Sequence, residues 1–140
     1  MVKLKKLILQ PKKFKFKKVR KGKLKKYIYN SKINFGFIGL KAVESCFITS
    51  KQIESARQAI SRKIKKKGGK IWIKIFPNTP ITKKPNEVRM GKGKGNLSHW
   101  AAKVRGGSIL FEIGGVQKKI AIKAFRTGGA KLPVKTVICD

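Results

Sequence analysis

Acidic side chains are scarce in this sequence. Five aspartate and glutamate residues stand against 37 lysines and arginines, which gives a formal net charge of +32. The acids are scattered and form no pair of carboxylates suited to general acid–base catalysis. Repulsion on this scale disfavours a compact free monomer, so the charge indicates a polyanionic partner. Nucleic acid is the first candidate for that partner, and an anionic membrane surface is the second.

Histidine and cysteine are equally sparse, which argues against a metal centre. His99 is the only histidine, and Cys46 and Cys139 lie far apart without a C-x-x-C pattern. We therefore expect no zinc or other metal, no cofactor, and two free thiols rather than a disulfide. His99 has no evident carboxylate or cysteine partner, so an enzyme acting on RNA is the weakest functional hypothesis. We expect no enzymatic activity and no small-molecule substrate.

Long apolar runs are also absent, so a membrane-spanning segment is not expected. Hydrophobic residues still make up 41% of the 140 residues, enough for one domain with a modest core. We divide the chain into a basic N-terminal arm, residues 1–29, and a single domain, residues 30–140. In the arm, Phe14 and Phe16 interrupt the lysines, and Pro11 disfavours a long helix. Such segments extend and bind nucleic acid, and this arm is expected to be disordered until it docks.

The domain shows signals for two helices among several strands. Thr49 with Gln52 predicts a capping box, after which apolar residues recur at helical spacing as far as the Gly68–Gly69 stop. A second helix is predicted over 117–126. Strands are predicted within 34–48 and over 70–76, 100–104, 109–113 and 134–138. The fold class is therefore α+β, with two helices packed on one face of a mainly antiparallel sheet.

Residues 77–99 are predicted to form one extended loop between two strands that pair with each other. Prolines stiffen its start, and its centre is the stretch VRMGKGKGN, residues 88–96. Glycines without Cβ allow close approach, and the lysines place cations beside backbone N–H groups, so the stretch is suited to phosphates. It matches neither the Walker pattern nor the dinucleotide fingerprint. A solvated hairpin tip is the alternative interpretation.

Several motifs along the chain are similar to those of one known family. They are LQPKKFK (9–15), FG and GLKA within 35–42, T-x-x-Q-I-E-x-A-R (49–57), GKIWI (69–73), FP (76–77), P-I-T-x-K-P (80–85), VRMGKGKGN (88–96) and AKLPVKT (130–136). The chain resembles the bacterial and organellar large-subunit ribosomal protein L sixteen family from about residue 9 to residue 137. In this context the glycine–lysine loop is a specific signal.

The resemblance implies a structural constituent of the large ribosomal subunit. Members bind large-subunit rRNA near the peptidyl-transferase centre, help to shape the aminoacyl-tRNA site, and contact neighbouring large-subunit proteins. A stand-alone basic RNA-binding or RNA-chaperone protein is the alternative. The candidate rRNA-binding residues are Lys12, Lys13, Lys15, Lys17, Lys18, Arg20, Lys21, Lys23, Arg57, Arg62, Lys70 and Lys74. The candidate tRNA-proximal loop residues are Arg89, Met90, Gly91, Lys92, Gly93, Lys94, Gly95 and Asn96.

Two departures from the family pattern matter. Lysine replaces arginine at positions such as Lys13 and Lys17, and lysine offers a point charge without a bidentate fork. Thr127-Gly128-Gly129 replaces a more helix-favouring run, which predicts an early end to the second helix.

The heavy use of Lys, Ile, Phe and Asn indicates an AT-biased genome, which favours a mitochondrial ribosome and an organelle-encoded protein. A plastid or an AT-rich bacterium is the alternative.

Overall fold

The computed structural model describes residues 9–24 and 31–140, except for the side chain of Lys66. The strands paired within these ranges are all antiparallel, so the predicted α+β class is confirmed. Among the described helices, none is long and apolar enough to cross a membrane. The described elements are β1 Ile38–Ala42, β2 Cys46–Thr49, α1 Ser50–Ile64, β3 Lys70–Ile73, β4 Thr79–Lys83, β5 Asn96–Val104, β6 Ile109–Gly114, α2 Lys118–Gly129 and β7 Thr136–Cys139.

The strands form two sheets where one was expected. A four-stranded sheet has the order β3-β6-β1-β7, and a three-stranded sheet has the order β2-β5-β4. The predicted pairing of the strands that flank residues 77–99 is wrong, because β3 pairs with β6 and β5 pairs with β2 and β4. Thr79–Lys83, inside the predicted loop, forms the edge strand β4. Proline has no backbone N–H to donate, and Pro80 is tolerated there because one side of an edge strand has no partner strand.

Helix α1 begins and ends at the predicted signals. The Thr49 hydroxyl accepts a hydrogen bond from the Gln52 N–H at 3.3 Å, and the Gln52 side chain accepts one from the Thr49 N–H at 2.9 Å. After Ile64 a short 3-10 turn leads to Gly68, whose φ of 73° is left-handed. The capping box and the glycine stop are therefore confirmed.

Helix α2 does not end early, which corrects the expectation from residues 127–129. It continues through Gly129, and Gly128 is buried against α1. A Cβ at Gly128 would lie 2.4 Å from Cγ1 of Ile60. Close packing between the helices thus outweighs the low helix propensity of two glycines.

The core lies between the two helices and the strands, and it includes one residue of the arm. Ile60, Phe111 and Phe125 are fully buried in it. Leu9, in the predicted arm, is only 8% exposed and belongs to the same cluster. The arm is therefore anchored to the core at its described beginning. The other arm residues, 1–8 and 25–29, lie outside the described residues.

Candidate nucleic-acid interface

The arm runs across the three-stranded sheet in irregular conformation. The Phe14 ring packs on Trp100 of β5, with centroids 5.2 Å apart and planes tilted by 58°. Further along, Nζ of Lys21 lies 5.4 Å from the centroid of the Phe47 ring on β2. Aromatic and cation–π contacts of this kind hold a segment that has no strand or helix of its own.

The end of the glycine–lysine loop contacts the arm. Nζ of Lys18 donates to the carbonyl of Lys94 at 2.9 Å, and Nζ of Lys94 donates to the carbonyl of Val19 at 2.6 Å. These reciprocal bonds join segments 75 and 76 residues apart in sequence. We call residues 12–23 and 84–96 together the arm–loop surface. The sequence had assigned the two segments to different RNA partners, and the structure brings them together.

The tip of the loop is open and thin. Gly91, Lys92 and Gly93 all have positive φ, at 97°, 51° and 80°. Positive φ is uncommon for a residue such as lysine and indicates a tightly turned backbone. A Cβ at either glycine would meet no heavy atom within 4 Å, and Met90 is 97% exposed. At the base of the tip, the Lys84 ammonium donates to the carbonyl of Gly91.

The charge of the arm–loop surface is almost entirely positive. Residues 12–23 contain eight lysines and arginines, and residues 84–96 contain four, against the single acid Glu87. All eight basic side chains of the arm are exposed, as are Arg89, Lys92 and Lys94. Exposed cations over an area with so little counter-charge are suited to a polyanion such as an RNA backbone.

The four predicted rRNA-binding residues outside the arm–loop surface are of two kinds. Arg62 on α1 and Lys70 on β3 are exposed. Arg57 instead makes a forked pair with Glu54, at 2.8 and 2.6 Å, and this hydrogen bonding lowers the pKa of Glu54. Nζ of Lys74 lies 3.7 Å from Oε1 of the buried Glu112. The charges of Arg57 and Lys74 are thus already matched by carboxylates, which makes them weaker candidates for phosphate contacts.

Glu112 is a structural residue that the sequence analysis missed. Its side chain is fully buried, and Oε2 accepts backbone N–H bonds from Phe35 at 2.7 Å and from Gly36 at 3.0 Å, with Asn34 at 3.4 Å. Burial raises the pKa of this carboxyl, but the backbone donors and Lys74 outweigh burial and the net pKa is lowered. The sequence feature that could have revealed Glu112 is that it is a lone acid within the apolar run ILFEIG. A charged side chain buried in such a strand needs partners.

The histidine and the thiols offer no catalytic arrangement. The described residues hold no group of three or more potential metal ligands. Burial raises the pKa of both Cys46 and Cys139, so the thiols stay protonated at neutral pH. Nδ1 of His99 lies 3.2 Å from the hydroxyl of its neighbour Ser98.

Comparisons with known proteins agree with this kind of surface. The family model described as "Ribosomal protein L16p/L10e" matches residues 11–139. The "Large ribosomal subunit protein uL16" of Blochmanniella floridana is 55% identical over 131 residues, covering 94% of this chain and 98% of the relative. The protein of the same name from Wigglesworthia glossinidia brevipalpis is 56% identical over 133 residues, covering 95% and 97%. A third, from Blochmanniella pennsylvanica (strain BPEN), is 54% identical over 132 residues, covering 94% and 98%.

Proposed function

We infer that this chain, which belongs to the ribosomal protein L16p/L10e family, is a structural constituent of the large ribosomal subunit and binds its rRNA. The family is structural rather than enzymatic, so the chain is not an enzyme. The observation that carries the rRNA-binding proposal is the arm–loop surface, with eleven exposed basic residues, the partly buried Lys84 and one acid. Neighbouring large-subunit proteins are its further proposed contacts.

The glycine–lysine loop is proposed to reach toward tRNA and to help shape the aminoacyl-tRNA site. Support comes from its position at the end of the β4–β5 hairpin and from its open tip at Gly91–Gly93. A thin, cationic backbone can approach phosphates closely. Because hydrogen bonds join Lys94 to the arm, rRNA binding by the arm would also position the loop.

The proposed ribosome is bacterial. The composition favoured a mitochondrion, with a plastid or an AT-rich bacterium as alternatives. The relatives described above come from bacteria and give the mitochondrial choice no support. An AT-rich bacterial genome accounts for the same excess of Lys, Ile, Phe and Asn.

Affinity for a large-subunit rRNA fragment is expected to fall steeply as salt rises. Each phosphate neutralised contributes a log–log slope of about −0.7 to −0.9, so six contacts would cost roughly a thousandfold between 50 and 200 mM salt. Replacing Lys15 and Lys17 together by alanine should reduce the slope by about one to two. Lys123→Ala, an exposed lysine of α2, is the matched control and should leave the slope unchanged. A flat salt dependence of the wild type would refute the electrostatic account.

Deleting Gly91–Gly95 tests the tRNA proposal. Gly91 and Gly93 have no close neighbours, and of the deleted residues only Lys94 bonds the described part of the arm, so subunits should still incorporate the variant. Binding of tRNA to the aminoacyl site should fall about tenfold or more. The measurement pairs tRNA binding with the number of variant molecules per purified subunit. Lys92→Ala should give a milder loss than Lys94→Ala, because only Lys94 also bonds the arm.

Two outcomes would contradict the tRNA proposal. Failure of the deletion variant to enter subunits would identify the loop as an rRNA anchor. Full incorporation with unchanged tRNA binding would identify it as a solvated hairpin tip.

A further inference from the structure

An exposed aromatic ring stands on a rigid backbone at the four-stranded sheet. Phe35 is 62% exposed, yet its N–H and that of Gly36 are held by the buried carboxylate of Glu112. A Cβ at Gly36 would lie 2.5 Å from the carbonyl oxygen of Ile113, so the backbone here is pressed against β6. A large apolar side chain that is exposed on a backbone held in this way is suited to binding, because little backbone entropy is lost on contact.

Two side chains of β3 contact the Phe35 ring. The Trp72 indole lies over Gly114, where a Cβ would come within 3.0 Å of the indole ring. Phe35 stacks on Trp72 with centroids 6.3 Å apart and planes 21° from parallel, and Nζ of Lys74 lies 4.5 Å from the Phe35 centroid. Trp72 and Lys74 project from the same face of β3, since residues two apart share a face. Phe35 is nonetheless 62% exposed, so much of its ring remains accessible to solvent.

The charges around this ring select its ligand. Lys70 shares the strand face of Trp72 and is exposed, and Lys32 is exposed three residues before Phe35. The carboxylate of Glu112 is fully buried and bound to backbone N–H groups and Lys74, so it does not repel an anion. The site thus combines an exposed π surface with exposed lysines on the segments that carry Phe35 and Trp72, which matches a base and its phosphate.

We propose that the exposed part of the Phe35 ring is a stacking platform for one unpaired RNA base, whose phosphate contacts Lys70 or Lys32. This inference rests on the proposed rRNA binding and adds a second site, distinct from the arm–loop surface. Every base has a π face, so the platform is tolerant of sequence and requires only a nucleotide that is free of a duplex. Glu112 holds the backbone that carries this ring, at the N–H groups of Phe35 and Gly36.

The test uses the full chain and a short oligoadenylate that carries 2-aminopurine, whose fluorescence falls when it stacks. Two substitutions separate stacking from simple apolar contact. Phe35→Leu keeps apolar bulk without a π face and should weaken binding about tenfold, with loss of the quenched signal. Phe35→Tyr keeps the ring and should match the wild type. Neither substitution removes a charge, so the salt slope should stay constant.

Ultraviolet crosslinking locates the base. Digestion of irradiated purified subunits should yield a nucleotide on the peptide that contains Phe35 in the wild type and the Tyr variant, and none in the Leu variant. Thermal melting of each variant checks that the fold is retained.

Three results would overturn the platform. Equal affinity and equal quenching in the Leu variant would do so while leaving rRNA binding intact. A crosslink from the Phe35 peptide to a protein, tolerant of leucine, would identify an apolar protein partner instead. Absence of any RNA binding by the wild type would remove the proposed function together with this inference.

Discussion

Replacing Glu112 by alanine is expected to lower the free energy of unfolding by about 4 kcal/mol, the range found when one partner of a buried charge pair is removed. The substitution leaves the N–H groups of Phe35 and Gly36 without their acceptor and Lys74 without its counter-charge. Each buried donor left unpaired costs about 1–3 kcal/mol. Urea unfolding followed by circular dichroism measures the change. Glu112→Gln keeps one carbonyl oxygen and should cost about half as much.

Glu54→Gln is the matched control for Glu112. Glu54 is also paired, with Arg57, but its side chain keeps 23% exposure, whereas that of Glu112 is fully buried. Pairs that stay in contact with solvent contribute about 0–1 kcal/mol, so this variant should lose much less stability than the Glu112 variants. Similar losses at the two glutamates would contradict the role assigned to the buried carboxylate.

Acid should remove the contribution of Glu112 in a defined direction. Its folded pKa is lowered, so its stabilisation is fully present above the unfolded value of about 4.3 and is lost as pH falls through the folded pKa. The difference in unfolding free energy between the wild type and Glu112→Gln should therefore shrink on acidification below about pH 5. A difference that stays constant down to strong acid would show that the carboxylate charge is not what stabilises this site.

A larger side chain at Gly128 is the second substitution with a large expected effect. Gly128→Val should destabilise the protein by about 3 kcal/mol, because even its Cβ would lie 2.4 Å from Cγ1 and 2.7 Å from Cδ1 of the fully buried Ile60. Helix propensity acts in the opposite direction for alanine, which is favoured over glycine by about 1 kcal/mol. Gly128→Ala should therefore be less harmful than valine. Thermal or urea unfolding distinguishes these outcomes.

A double-mutant cycle isolates the contact between the helices. Ile60→Ala creates a cavity at the position where the new Cβ would clash, so Gly128→Ala with Ile60→Ala should be less destabilised than the sum of the single variants. Thr127→Ala, at an exposed neighbour on α2, is the control and should change stability by no more than about 0.5 kcal/mol. Additive behaviour of Gly128 and Ile60 would mean that the helices do not pack as described.

The sequence by itself determined the features that depend on neighbouring residues. The start of α1 follows from Thr49 and Gln52, because a capping box needs only four consecutive residues. The stop at Gly68 follows from the conformational freedom of glycine. The positive charge, and with it a polyanionic partner, follows from composition alone. These conclusions needed no knowledge of which distant segments meet.

Only the tertiary structure decided which distant segments meet. The bonds from Glu112 to Phe35 and Gly36 span 77 and 76 residues, and those between Lys18, Val19 and Lys94 span similar separations. Strand pairing is likewise set by the burial of whole sheet faces, so the apolar pattern of β3 alone could not select β6 over β5. Contacts of this kind depend on the packing of the complete core, where close approach at Gly128 also overrides local helix preference.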